Sequence, residues 1–172
     1  MTTQRPSSTD DSLTEIELGA WRGMLSAHAR LVRDLDAELQ QAEGVRLSSY
    51  EVLMLVAEAP GGRRRISDLS GATLLSLSGV SRLVDRLVRE DLLAKERCDD
   101  DRRGWFAQIT PAGRARLESA RSVHRAGIRR RFLAAFSVEE LRQMDIFWRR
   151  LGARSNMDDT PRSNRRRDHA GR

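Results

Sequence analysis

The chain has 172 residues, enough for one domain with a real core and a further end segment. Charged residues make up 33% and aromatics 5%, and the net charge of +6 with a pI near 10.9 favours an anionic partner. A single cysteine, Cys98, excludes an intrachain disulfide, and no apolar run approaches the roughly 18 residues of a membrane span.

The start, MTTQRPSSTDD, is polar and lacks the apolar core of a signal peptide, so a cytoplasmic, soluble protein is expected. Residues 1–11 are expected to be disordered. Ser12 and Glu15 have the S-x-x-E spacing of a capping box and predict a helix to about Gln41. Trp21, Leu25, His28, Val32, Leu35 and Leu39 recur at alternating steps of four and three, a helix seam. Ile16, Met24 and Leu31 widen it. At about 1.5 Å per residue this helix is about 43 Å long, as long as the roughly 40 Å diameter of a compact domain of this size. So long a helix with so wide an apolar face predicts packing on a second chain; burial on its own domain is the alternative.

Gly44 ends that helix. Ser48 and Glu51 repeat the capping box, with Leu47 placed to staple against Val52. A mostly apolar helix over 49–59 stops at Pro60-Gly61-Gly62. Arg63, Arg64 and Arg65 read as loop, and Ile66 as a strand of one or two residues. Ser67 caps a short helix from Asp68 to about Thr73. After a polar turn, Ser76 or Ser78 caps the next helix, which ends near Asp91. Its Val80, Leu83, Val84, Leu87 and Val88 form one apolar stripe at helical period. The other face carries Ser78, Gly79, Ser81, Arg82, Asp85, Arg86 and Arg89. Small and hydroxyl residues followed by arginines suit a helix whose first turns enter a DNA major groove.

Segments 92–97 and 105–109 alternate as short strands around the polar turn Cys98-Asp-Asp-Asp-Arg-Arg-Gly104. Thr110 caps a helix with Pro111 at its first position, running to about Ala135. Ser137 and Glu140 give a third capping box for a last helix carrying Val138, Leu141, Met144, Phe147, Trp148 and Leu151. Beyond Gly152 the segment has no periodicity and reads as disordered. Six Arg against three Asp from Arg154 to Arg172 put +3 of the charge there.

The expected fold is mainly α with a small β wing, an α+β winged helix-turn-helix with long N- and C-terminal dimerisation helices. Its divisions fall at 1–11, 12–46, 47–110, 111–153 and 154–172. There is no nucleophile-base-acid constellation, Gly-rich phosphate loop or His/Cys cluster with metal spacing, so no enzyme, cofactor or metal is expected.

The block ISDLSGATLLSLSGVSRLVDRLVREDLL, followed by DDDRRGWFAQITPAGRARLE, resembles the MarR family of bacterial winged-helix regulators. The resemblance covers roughly residues 13–152. It implies a homodimer in which the first helix and the last two intertwine. Two lobes then present recognition helices to successive major grooves of a pseudo-palindromic double-stranded operator, about 34 Å apart. It also implies a repressor released by a small-molecule effector, bound between the dimerisation helices and the lobe. An effector-independent winged-helix or architectural factor is the alternative.

On this reading Ser76, Ser78, Gly79, Ser81 and Arg82 lie at or near base edges, and Arg86 and Arg89 touch phosphate. Asp101, Arg102 and Arg103 form the wing tip, with Asp101 bracing an arginine for the minor groove. Leu77, where the family often has a polar residue, meets a thymine methyl or turns inward. Trp105 and Phe106 are read as structural, with at least one packed inward. Trp21 and His28 border the effector pocket. His28 and His124 are otherwise read as packed, hydrogen-bonded histidines on faces that meet at the dimer interface. Cys98 is read as inert.

Overall fold

The computed structural model describes residues 12–73, 75–97 and 104–158, with side chains through residue 152. Expectations for residues 1–11, Cys98, Asp101, Arg102, Arg103 and 159–172 lie outside the described residues. In order the elements are α1 Glu15–Glu43, α2 Leu47–Ala57, β1 Arg63–Arg65, α3 Ile66–Ala72, α4 Leu77–Arg89, β2 Leu93–Arg97, β3 Trp105–Ile109, α5 Pro111–Arg131 and α6 Val138–Asp158. The expected class, mainly helical with a small wing, is what forms.

Several helix starts differ from the sequence reading. Thr14, not Ser12, caps α1: its hydroxyl accepts from Glu17 N at 3.3 Å, and Glu17 Oε2 accepts from Thr14 N at 3.0 Å. The box is the same motif moved two residues on. The box expected at Ser48 and Glu51 does not form. α2 already starts at Leu47, and its first free N–H donates to Asp36 Oδ1 of α1 at 2.7 Å. A carboxylate from a neighbouring helix thus does the capping. The box at Ser137 and Glu140 does form, with Ser137 N donating to Glu140 Oε2 at 2.7 Å and Glu140 N to Ser137 Oγ at 3.3 Å. These bonds hold the Glu140 carboxyl below its ordinary range.

The strand expected at Ile66 is instead Arg63–Arg65, and Ile66 begins α3, whose N-cap is Arg65 rather than Ser67. β1 pairs antiparallel with β3, Arg63 against Gln108 and Arg65 against Phe106. β2 pairs with the other edge of β3, Leu93 against Ile109 and Arg97 against Trp105. The sheet order is therefore β1-β3-β2, a wing hairpin with a third strand added. Three arginines carry no strand signal. The free edge of β3 decides their conformation.

One core lies beneath α4 and this sheet. It contains Leu39, Val52, Leu53, Val56, Leu69, Val80, Val84, Leu87, Leu93, Ala107 and Leu117, all almost fully buried. α4 meets β2 through a tight turn in which Asp91 takes φ 57. Thr110 then closes the junction: its hydroxyl donates to Asp91 O at 2.6 Å and accepts from Gly113 N at 2.9 Å, capping α5 as expected. A methyl at Gly113 would run into the Leu92 carbonyl oxygen, so only glycine lets α5 leave the sheet here. α5 runs back along the C-terminal half of α1. There Arg131 Nη2 lies 2.7 Å from Glu38 Oε1 and Arg131 Nη1 lies 3.0 Å from Asp34 Oδ2.

The chain divides after Arg131. In the second unit, the Phe132 and Phe136 rings meet in a tilted contact with centroids 5.3 Å apart, and α6 follows. α6 continues to Asp158 rather than stopping near residue 153, because Gly152 keeps a helical backbone and the next proline is Pro161.

Candidate nucleic-acid interface

α4 owes its position to its apolar stripe. Val80, Leu83, Val84 and Leu87 are buried, and this anchoring turns the other face outward. Ser76 is the N-cap: its Oγ accepts from Gly79 N at 3.2 Å and lies 3.2 Å from Ser78 Oγ. Ser76, Ser78 and Arg82 are exposed, and Gly79 and Ser81 are half-buried. Arg82 Nε donates back to Ser78 O at 3.2 Å, which folds the guanidinium towards the start of the helix. Five of the residues assigned to DNA thus form one contiguous surface at the helix N-terminus, where N–H groups and the helix dipole favour an anion. Leu77 stands out at 55% exposure and does not turn inward.

Arg86 sits apart from them. Its Nη2 donates to Ser49 Oγ of α2 at 2.8 Å, and its Nε lies 3.8 Å from Glu90. Ser49 is the one buried polar side chain among the described residues, so Arg86 satisfies a group that would otherwise be stranded. The two residues are 37 positions apart, and no spacing in the sequence announces the bond.

The sheet supplies the other wall. Arg65, Ser67, Leu77, Ser81, Lys95, Gly104 and Trp105 line a cleft of about 290 Å³ between α3, α4 and the hairpin. Lys95, the chain's only lysine, was not among the expected residues; its Nζ lies 2.5 Å from Asp85 Oδ1 of α4. Neither Trp105 nor Phe106 packs inward. Their neighbours Ala107 and Ile109 do. Phe106 lies under the Arg63 guanidinium at 3.9 Å, and Trp105 faces Lys95 at 5.5 Å and Arg97 at 5.4 Å.

The two histidines on apolar helix faces separate. His124 packs on Tyr50 within the chain, ring centroids 4.5 Å apart, and burial lowers its pKa. His28 is exposed rather than packed, and lines a cleft of about 440 Å³ with Val32, Arg33, Asp36, Ser48 and Glu51. Burial pushes the Glu51 carboxyl up, against the opposing pull of His28. Trp21 is 54% exposed and does not line that cleft. Among the described residues no helix is long and apolar enough to cross a membrane, and no group of three His, Cys, Asp or Glu is placed to hold a metal.

The family model described as MarR family matches residues 43–104, from the end of α1 to the wing. The crystal structure of AbsC, a MarR family transcriptional regulator from Streptomyces coelicolor, is 31% identical over 86% of this chain and 99% of its own, with a TM-score of 0.78. The chain belongs to the MarR family. Sco3205, a MarR family transcriptional regulator from the same organism solved in complex with DNA, is 27% identical over 83% of this chain and 90% of its own, TM-score 0.78. A mutant MarR from Escherichia coli, solved in complex with operator DNA, shares 17% identity over 83% of this chain and 99% of its own. The TM-score is 0.69, and at so low an identity the likeness concerns the fold alone. No curated protein matches. Membership of the MarR family makes this chain a DNA-binding transcriptional regulator.

Proposed function

We propose that this MarR-family regulator is a homodimeric repressor that grips a pseudo-palindromic double-stranded operator and releases it when a small molecule binds. The observation that carries the reading is the outward face of α4, where Ser76, Ser78 and Arg82 stand exposed on a helix fixed from behind by Val80, Val84 and Leu87. Ser76, Ser78, Gly79, Ser81 and Arg82 read the major groove. Arg102 and Arg103 serve the flanking minor groove, with Asp101 bracing an arginine there, and Arg86 shares its guanidinium between Ser49 and a phosphate.

The dimer is supported by exposed apolar surface on the long helices. Ile16, Trp21 and Leu25 on α1 are exposed by 86%, 54% and 46%, and Ile146, Phe147 and Trp148 on α6 by more than half each. So much aromatic and aliphatic surface marks an interface. The His28 cleft beneath α1 suits an effector, whose binding alters how the winged lobe meets the dimer helices. The protein then resides on the nucleoid.

Fluorescence anisotropy with DNA from upstream of its own gene tests the reading. Affinity is expected to fall steeply with salt, with a log-log slope of about −0.9 per phosphate contact. Arg82→Ala is expected to abolish site-specific binding with the dimer intact. Binding no tighter than to random duplex at moderate salt overturns the proposal. If no small molecule shifts the affinity or the thermal midpoint, the protein is an effector-independent regulator of the same fold.

A further inference from the structure

The recognition helix and the wing hairpin read DNA together only if their relative angle is fixed. Up to Leu93, Ala107 and Ile109 that angle is set by the core, since all three are buried. Beyond them the hairpin leaves the core behind. The next residue of β2 on the same face is Lys95, whose backbone pairs with Ala107 of β3. Its ammonium meets Asp85 Oδ1 at 2.5 Å and faces the Trp105 ring at 5.5 Å. Trp105 opens β3 and pairs with Arg97, the last residue of β2, at the base of the hairpin tip. Asp85 lies one helical turn beyond Ser81 and Arg82 on α4. One side chain thus joins the helix that carries the base-reading residues to the foot of the hairpin.

We propose that Lys95 and Asp85 are positioning residues for DNA recognition, holding the wing at its working angle to α4. This rests on the reading that α4 and the hairpin engage one duplex together. A half-exposed ion pair of this kind contributes little to global stability. Here Asp85 is 51% exposed and Lys95 24%, so the pair's value lies in geometry rather than in holding the fold. Lys95 also sits beside the DNA-facing cleft, which makes direct phosphate contact the rival role. The two roles differ in what they do to the salt dependence of binding. A lost phosphate contact lowers the log-log slope by about 0.9, whereas a wing at the wrong angle lowers affinity and keeps the slope of the contacts that remain.

The test is a double-mutant cycle on the full chain, with Lys95→Met, Asp85→Asn and both together, read by anisotropy against an operator that the unaltered protein binds. Each single change is expected to weaken operator binding about tenfold while the thermal midpoint stays within a few degrees. The double variant should be no weaker than the worse single one, the mark of two residues acting as one unit. Lys95→Arg is expected to restore affinity, because it keeps the charge and the reach to Asp85. Additive losses, a slope reduced by about one contact in Lys95→Met alone, or unchanged affinity in Asp85→Asn would each overturn the proposal. Because the unaltered protein's binding is measured first, failure here is distinct from failure of the DNA-binding reading.

Discussion

The two halves of α1 carry the same seam and meet opposite fates. In the C-terminal half, Leu35 and Leu39 are 9% and 0% exposed, pressed against α5 so closely that a methyl on Gly127 would lie 2.6 Å from both Leu35 Cδ2 and Glu38 Oε2. In the N-terminal half, Ile16, Trp21 and Leu25 continue the stripe into solvent. Periodicity therefore reports which face is apolar and says nothing about what covers it. The C-terminal half is covered by its own chain, with Arg130 and Arg131 of α5 closing over Glu38. We propose a second copy for the N-terminal half.

The sharpest way to break this contrast is Leu39→Ala. Removing a fully buried leucine is expected to cost about 2–5 kcal/mol in denaturant unfolding. A loss below about 1 kcal/mol would mean that this half of α1 is not part of the core. Thr14→Ala removes the N-terminal cap and should cost about 1 kcal/mol, seen as lost helix signal before global unfolding. An unchanged far-UV spectrum and midpoint would show that something other than the cap holds the start of α1.

Glu38 sharpens the same contrast through pH. Burial raises its carboxyl, but hydrogen bonds and charge from Arg131 and Arg130 outweigh that and hold it below the ordinary 4.5. Its folded pKa is thus depressed, so its contribution is present above the unfolded value and lost as pH falls through the folded one. Glu38→Gln is expected to lower stability at neutral pH and to flatten the decline below about pH 5. Parallel acid limbs for the two proteins would remove Glu38 from the account. The smallest effect expected within a single chain is that of Leu25→Ser, about 0.5 kcal/mol or less. Its larger consequence is expected in light scattering, as a shift of mass from two chains towards one. An unchanged dimer mass would place the interface elsewhere.

Much of the site was legible because its logic is local. The stripe Val80, Leu83, Val84, Leu87 fixes which side of α4 is buried, and Ser76 was one of the two caps expected for that helix. Thr110, Pro111 and the Trp105–Ile109 strand were legible for the same reason. What escaped were contacts between residues far apart in the chain. Arg86 reads as one more cation of the DNA face until Ser49 is found 2.8 Å away. Lys95 reads as an ordinary strand residue until Asp85 meets it. Arg63, Arg64 and Arg65 read as loop until β3 offers an edge.

The sequence by itself determined the order of the elements, the apolar face of each helix and the small polar start of α4, because period, caps and turns act over three or four residues. Only the tertiary structure decided which carboxylate caps α2, which guanidinium serves Ser49, and how the hairpin is tied to the helix beside it. Those choices depend on which groups become neighbours once the core has closed, and buried or half-buried polar groups take whatever partner the packing brings within reach.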